Sequence, residues 1–485
     1  MSGMHSGAQA RVVTVALTLV AGLTGPALGQ VARTASDFGA QGTAKVICSA
    51  VFVSGRDLDD AVRNSTPDFL PPADRRRLLA GDDAAVFLDL DRQEKMVRVT
   101  AHGFTGRAKY YGDQGCVILP PGAGGVFFDP VEVRTTLPDA MTQPWPMGDA
   151  PTGAPWPAGI DRAAVTAATD AAFADGGLTA AFVVVHKGRI IAERYGQGAD
   201  RDTQLESWSM GKSLTATLLG LLVEEGHLGL HDPAPVPLWR QDPEDPRSRI
   251  RVSDLMRMSS GLLFTHASQP RWEWGREIAD HLYIYAGGID AFHLSITRAA
   301  EFPPNTVGRY RNSDPLTIGY IIRHTVERMG KTYLTWPQQA LFDRIGIREQ
   351  VMEPDPYGNF LLTGFDYGTG RNWARLGLLY LQDGMWNGER LLPEGWAEFV
   401  STPAPAWDQS QYGGLFWVNG NQRWTALPRS AYYMSGAGGQ HVIIVPTHDL
   451  VVVRMGHRRG QRVGVQALDT ALGLLLDAIE GRDSQ

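Results

Sequence analysis

The apolar strands at the two ends of residues 160–485 constrain the fold more than any other feature of the sequence. Residues 180–185 and 190–195 flank His186-Lys187-Gly188-Arg189, a pattern typical of a β-hairpin. Strands are predicted again near the C-terminus, at 415–418, 442–445 and 450–455, before a closing helix at 463–479. The long stretch between these ends, from residue 209 to about 382, is predicted to be all-helical. Strands contributed from both ends around a helical insertion predict an α+β domain with a mainly antiparallel sheet.

A second, smaller domain is predicted before this one. The chain has 485 residues, of which 43% are hydrophobic and 20% charged, so the composition is globular and the length suggests more than one domain. The Pro- and Gly-rich residues 144–159 are predicted to be a linker that follows a small N-terminal α/β domain at 30–143. Within that domain we predict strands at 46–54, 84–90 and 96–101, and a partly helical charged segment at 57–81.

Residues 1–29 have the pattern of a secretory signal peptide. Arg11 supplies the positive charge, residues 12–23 the apolar segment, and Ala27-Leu28-Gly29 the small-residue cleavage site. We therefore expect an exported protein, periplasmic or secreted. No other segment is apolar for 18 residues, so no stable membrane span is expected in the mature chain.

The chain has two cysteines, Cys48 and Cys116, and both fall in the predicted N-terminal domain. In an oxidising compartment two cysteines of one small domain predict a disulfide. Two buried free thiols are the alternative, since free cysteine is a common core residue.

Charge and histidine patterns narrow the class of function. The formal net charge is −7, so the sequence offers no basic field that would attract nucleic acid. The twelve histidines show no paired-ligand spacing, and we predict neither a metal site nor a cofactor. Positive charge comes from 39 arginines and only six lysines, which makes a lysine within a motif informative.

The motif Ser207-Trp208-Ser209-Met210-Gly211-Lys212-Ser213 opens an apolar helix and places Ser209 and Lys212 on one helical face. A serine hydroxyl becomes a strong nucleophile when a base accepts its proton, and a buried lysine at a helix N-terminus can be that base. The N–H groups of the same helix end can stabilise an oxyanion. A capping serine beside a solvated lysine would give the same pattern.

A second motif, Tyr310-Arg311-Asn312, follows about 100 residues later. A tyrosine hydroxyl near a Ser–Lys pair can pass a proton to a leaving group, and an asparagine amide can hold a substrate carbonyl. Tyr357-Gly358-Asn359 repeats the pattern in a Pro- and Gly-containing loop, whereas Tyr310 precedes a helix. Context therefore favours Tyr310, with a packed loop aromatic as the alternative.

Together these motifs resemble those of the penicillin-recognising serine hydrolases, which include class C β-lactamases, D-alanyl-D-alanine carboxypeptidases, esterases and 6-aminohexanoate-dimer hydrolase. The resemblance covers roughly residues 160–480 and extends to the segments at 222–232, 252–262, 302–327, 371–396 and 435–446. It implies a β-lactamase/DD-peptidase-like fold with a helical subdomain. It also implies that Ser209 is the acylated nucleophile, Lys212 its base or proton relay, Tyr310 a second acid/base, and Asn312 a substrate-positioning group.

The third motif of that family departs from the usual pattern. The family places Lys or His before a glycine on the strand beside the site, but residues 431–439 read AYYMSGAGG and contain neither. Ser435 and Gly436 are predicted to contact substrate there, with a backbone N–H from 435–439 as second oxyanion donor. The missing cation favours a small-molecule amide or ester substrate, as in the 6-aminohexanoate-dimer hydrolase and esterase branch. β-Lactamase or D-Ala-D-Ala carboxypeptidase activity, and a non-catalytic binding or regulatory protein on the same scaffold, are the alternatives.

Overall fold

A computed structural model describes residues 34–65, 69–81, 83–151, 153, 155–266 and 279–480. The predicted signal peptide at 1–29 lies outside the described residues. The N-terminal region starts with three helices and continues as a four-stranded antiparallel sheet of order β1-β2-β3-β4. Its elements are α1 (Ala35–Phe52), α2 (Leu58–Ser65), α3 (Pro72–Ala80), β1 (Val86–Asp91), β2 (Met96–Ala101), β3 (Phe104–Tyr110) and β4 (Cys116–Ile118).

Two of the three strands predicted in this region are confirmed, and the third is wrong. β1 and β2 match the predicted strands, but residues 46–52 form the end of helix α1 rather than a strand. A capping box at Thr34 and Asp37 starts this helix, and almost its whole circumference is buried. A continuous apolar run cannot distinguish a buried strand from a buried helix, which is why the pattern was ambiguous. The structure places a disulfide between Cys48 on α1 and Cys116 on β4, with a Cα–Cα distance of 5.9 Å.

The C-terminal region contains a six-stranded antiparallel sheet of order β12-β13-β14-β15-β5-β6. Its strands come from both ends of the region, as predicted. Up to the middle of the chain the elements are α4 (Arg162–Ala172), β5 (Thr179–His186), β6 (Arg189–Tyr195), β7 (Leu205–Glu206), α5 (Gly211–Glu224), α6 (Val252–Met256), α7 (Asp280–Ala286), α8 (Ala291–Thr297) and α9 (Ser313–Arg328). They continue as β8 (Val351–Met352), β9 (Asp366–Gly368), α10 (Gly370–Leu381), β10 (Met385–Trp386), β11 (Glu389–Arg390), α11 (Trp396–Ser401), β12 (Trp417–Val418), β13 (Tyr432–Gly436), β14 (Gln440–Val445), β15 (Leu450–Gly456) and α12 (Gln461–Glu480).

Helices cover both faces of the large sheet. α4 and α12 pack on one face and α5 and α10 on the other, so every residue of the central strand β5 is buried. Alternate residues of β5, such as Val183 and Val184, belong to different hydrophobic clusters, as the two-residue period of a strand requires. The predicted hairpin between β5 and β6 is confirmed, with positive φ angles at Lys187 and Gly188.

The middle of the chain is mostly helical but contains strands, which corrects the prediction of an all-helical insertion. β7, β8 and β9 form a small antiparallel sheet of order β7-β9-β8, and β10 pairs with β11. These strands have two or three residues each, too few to show an alternating pattern in the sequence. The strand predicted at 415–418 is likewise shorter, at Trp417–Val418. Among the described residues, no helix combines the length and apolar character needed to cross a membrane.

The N-terminal region packs directly on the rest of the chain. Lys45 on α1 forms a fully buried ion pair with Glu353, which also accepts hydrogen bonds from Ser49 Oγ at 2.8 Å and from the backbone N–H of Cys116 at 2.6 Å. In the segment predicted to be a linker, Asp149 pairs with Arg371 and Arg375 at 3.0 and 2.8 Å. The domain boundaries stay predictions, but α1 and Glu353 share one polar cluster.

We expect the Lys45–Glu353 pair to couple the two regions energetically. Removing one partner of a buried ion pair leaves an uncompensated charge and costs about 3–5 kcal/mol. Lys45→Met should therefore lower the free energy of unfolding by roughly that amount, as should Glu353→Gln. The double variant should lose less than the sum of the two single losses in a urea-denaturation cycle. Additive losses would contradict the coupling.

Candidate active site

Ser209 lies in a tight turn between strand β7 and helix α5. Residues Trp208–Met210 form one turn of 3-10 helix, and α5 begins at Gly211, so the backbone N–H groups of this helix end surround the serine. Strand β7 ends at Glu206, directly before the motif. Trp208 has a φ of 50° and is held in this unfavourable conformation by packing, with its ring centroid 5.9 Å from those of Phe69 and Phe365.

The Lys212 side chain is buried directly beside Ser209. Its Nζ lies 2.9 Å from Ser209 Oγ and donates a hydrogen bond to the backbone carbonyl of Thr363, also at 2.9 Å. Burial lowers the pKa of Lys212 well below its usual value, and the nearby Asp366 carboxylate opposes this by raising it. A neutral amine at hydrogen-bond distance from a serine hydroxyl is the arrangement a general base needs.

The loop that carries Thr363 approaches α5 closely because residue 211 is a glycine. A Cβ at Gly211 would lie 2.2 Å from the carbonyl oxygen of Leu362 and 2.4 Å from Asp366 Oδ1. Asp366 also accepts a hydrogen bond from Ser207, which fixes the residue two before the nucleophile. Burial raises the pKa of Asp366 to about 7.

Tyr310 completes a group of three with Ser209 and Lys212. The Ser209 side chain is among the groups that act on the pKa of its phenol, and Lys212 Nζ lies 4.8 Å from the centre of its ring. Burial raises the pKa of Tyr310, so the phenol keeps its proton and can donate it. The competing Tyr357 is exposed and contacts Phe127, away from this group.

Asn312 is linked to the site by a hydrogen bond to Tyr285, a residue that was not predicted from the sequence. Its Nδ2 donates to Tyr285 Oη at 2.9 Å, and Tyr285 in turn donates to the same Thr363 carbonyl that holds Lys212. Asn312 Oδ1 is buried and makes no hydrogen bond with a described residue. Burial raises the pKa of Tyr285 to about 12, so this phenol is also neutral. No local pattern distinguishes Tyr285, Thr363 or Asp366 in the sequence, since each acts through non-local contacts.

Strand β13 brings Gly436 against the nucleophile turn. A Cβ on Gly436 would lie 2.0 Å from the carbonyl oxygen of Ser207 and 3.1 Å from the backbone nitrogen of Ser209, so only glycine fits. Met434, two residues earlier on the strand, is buried in the core that includes Leu214. None of residues 431–439 carries a cationic side chain, and Met434 among them is apolar and buried. Ser435 is half-buried and faces away from that core.

A cavity of about 500 Å³ opens beside Ser435. The ring of Trp417 forms part of its wall and also stacks on Tyr310, with centroids 5.5 Å apart. Ser209, Lys212 and Tyr310 are not among its described lining residues. Its other described lining residues are Gln411, Asn421, Arg423 and Tyr433. Among the residues that the structure describes, no group of three or more His, Cys, Asp or Glu side chains could hold a metal ion.

Comparison with known families gives a consistent result. The family model described as beta-lactamase matches residues 165–476, more than half of the chain. The chain belongs to the beta-lactamase family. This confirms the resemblance found in the sequence, and the matched residues include Ser209, Lys212 and Tyr310.

Individual relatives are distant. A 6-aminohexanoate-dimer hydrolase from Paenarthrobacter ureafaciens is 24% identical over 307 residues, which is 57% of this chain and 72% of that protein. A penicillin-binding protein homologue from Caulobacter crescentus has a TM-score of 0.50 at 17% identity, covering 65% of this chain and 98% of its own. A candidate β-lactamase from Bacteroides dorei DSM 17855 has a TM-score of 0.51 at 17% identity, covering 66% and 99%. The two structures support the predicted β-lactamase/DD-peptidase-like fold.

The charge of Asp366 should set the pH dependence of any reaction that uses neutral Lys212. Ionised Asp366 favours the charged lysine and so raises the pKa of Lys212. Asp366→Asn removes that charge, so Lys212 should stay neutral to lower pH. The acidic limb of the curve of acylation rate against pH should therefore move to lower pH. Stopped-flow acylation at a series of pH values measures this.

Asp355→Asn is the matched control for this experiment. Asp355 is buried in the same loop and burial also raises its pKa to about 7, but Lys212 is not among the groups acting on it. Its substitution should leave the acidic limb in place. An unchanged limb in Asp366→Asn, or an equal shift in both variants, would contradict the prediction.

Proposed function

We propose that this protein is a serine hydrolase that cleaves amide or ester bonds of small molecules through an acyl-enzyme on Ser209. The observation that carries this proposal is the buried Lys212 amine, 2.9 Å from Ser209 Oγ, with a pKa lowered by burial. The alternative reading of the motif, a capping serine beside a solvated lysine, does not fit a lysine that is 1% exposed.

The proposed reaction has two steps. Lys212 accepts the Ser209 proton as Oγ attacks the substrate carbonyl, and the resulting oxyanion is held by backbone N–H groups of Ser209 and of the 435–439 segment. Tyr310 donates a proton to the leaving amine or alcohol, and the C–N or C–O bond breaks to leave an ester on Ser209. Water then attacks this ester, with the proton returning to Ser209 through the same side chains.

The lack of a cationic side chain in residues 431–439 supports an amide or ester substrate over a β-lactam or D-Ala-D-Ala peptide. No residue from 431 to 439 supplies a cation that could bind a substrate carboxylate, and Met434 in that segment is apolar and buried. The distant relative from Paenarthrobacter ureafaciens is named for hydrolysis of a 6-aminohexanoate dimer, which is a linear amide. β-Lactamase and carboxypeptidase activities are therefore the second choice, and a non-catalytic binding role the third.

We also propose that the protein acts outside the cytoplasm, after removal of residues 1–29. The Cys48–Cys116 disulfide supports this proposal, because such bonds persist in oxidising compartments.

The nucleophile can be tested by intact-protein mass spectrometry after brief exposure to p-nitrophenyl acetate. We expect wild-type protein to acquire an acetyl group or release p-nitrophenol catalytically, and Ser209→Ala to do neither. Ser209 is hydrogen bonded to the buried Lys212 amine, whereas the buried Lys45 amine beside Ser49 is paired with Glu353. Equal reaction of both proteins would refute the assignment of Ser209. If neither reacts, a panel of linear amides and β-lactams decides between a strict amidase and a binding protein.

The role of Tyr310 has a matched control within the chain, because the Y-x-N tripeptide occurs twice. Tyr310→Phe removes the proton donor beside Ser209 and should lower the turnover number by about 10²–10⁴-fold, the usual contribution of a general acid. Tyr357→Phe alters the second tripeptide, whose hydroxyl lies outside the site, and should leave turnover unchanged. Equal activity of the two variants would exclude the proposed role for Tyr310.

A further inference from the structure

A cavity of about 1060 Å³ lies between the N-terminal helices and the start of α12, and most of its lining residues are arginines. They come from α2, α3, the segment after β12, the turn that leads into α12, and the first turn of α12 itself. We call this the arginine pocket, and its arginines are Arg63, Arg75, Arg76, Arg423, Arg458, Arg459 and Arg462. No aspartate or glutamate occurs among the described residues that line it.

Such a concentration of positive charge is unusual in a chain with a net charge of −7. Arginine keeps its charge at every physiological pH, so the side chains repel one another across the cavity. On helix α3, Arg77 pairs with Asp74 and Asp83, whereas no ion pair of the described residues includes its neighbours Arg75 and Arg76. Arg75 and Arg76 are therefore not neutralised by an ion pair with a described residue.

The properties of the cavity indicate the chemistry of its ligand. Neutralising several arginines within about 1060 Å³ requires a compact anion with several charges, and a phosphate group carries up to two charges on three oxygens that match the guanidinium fork. The N-terminus of the 20-residue helix α12 lies at the same cavity and adds its positive dipole end. The volume is near the upper end of the range for small-molecule sites.

We propose that the arginine pocket binds a ligand with two or more phosphate groups. Leu79 and Val465 also line the cavity and would contact an apolar part of that ligand. A soluble polyphosphorylated molecule and the headgroups of anionic phospholipids share this chemistry. One wall of the pocket comes from the N-terminal region and the other from the C-terminal region, so a bound ligand would contact both regions. This proposal is independent of the reaction at Ser209.

Isothermal titration calorimetry with tripolyphosphate tests the pocket on the full mature chain. We expect binding to the wild type, and a Kd weakened at least about tenfold in Arg459→Gln/Arg462→Gln, since two charge-assisted contacts are lost. A second variant, Arg75→Gln/Arg76→Gln, removes two charges from the opposite wall and should weaken binding similarly. The matched control is Arg92→Gln/Arg328→Gln, which removes the same charge from two arginines that are exposed, like Arg459 and Arg462, but lie outside the pocket. It should leave the Kd within about twofold.

The other arms of the experiment identify the source and class of the ligand. Sedimentation with phosphatidylcholine vesicles containing phosphatidylglycerol, if it depends on the pocket arginines, assigns the site to lipid headgroups and supports the proposal. Tripolyphosphate binding without vesicle binding supports a soluble ligand. Citrate binding as tightly as tripolyphosphate would overturn the assignment to phosphate. If the protein binds neither tripolyphosphate nor the vesicles, the proposal that the pocket binds phosphate groups is overturned. Equal weakening of tripolyphosphate binding in the control variant would overturn it as well.

Discussion

Burial of the Lys212 amine is the constraint on which the rest of the site depends. An exposed lysine at this position would be protonated and unable to accept the proton of Ser209. Packing around α5 removes water from the amine, while the Thr363 carbonyl and Ser209 Oγ satisfy its hydrogen bonds. Because burial costs free energy for the charged form, it lowers the pKa of Lys212 and favours the unprotonated amine that can accept the Ser209 proton.

That burial is maintained by elements far apart in the sequence. Gly211 allows the loop with Leu362 and Thr363 to approach the start of α5. The same loop begins near Glu353, which is fixed by Lys45 and Cys116 of the N-terminal region. Phe69, also from that region, packs against Trp208 beside the nucleophile. The N-terminal region thus acts as part of the wall of the site rather than as a separate appendage.

The structural features that could be predicted from the sequence are those that local residue patterns encode. The antiparallel sheet was predictable because β5, β14 and β15 are apolar runs bounded by turns, and β6 follows β5 across a hairpin turn. The Ser–Lys pair was predictable from its helical spacing. The hydrogen bonds from Tyr285 and Lys212 to Thr363 were not, because they join segments about 80 and 150 residues apart. Helix α1 was missed for a different reason: burial on all sides removed its periodicity.

Direct titration of Lys212 tests the central claim most sharply. With only six lysines in the chain, ¹⁵N-lysine labelling and NMR can follow each amine, and the Lys212→Arg protein identifies the Lys212 resonance. We predict that this amine loses its proton well below the alkaline range usual for lysine. A Lys212 amine that stays protonated into that alkaline range would contradict the account, because Ser209 would then have no base.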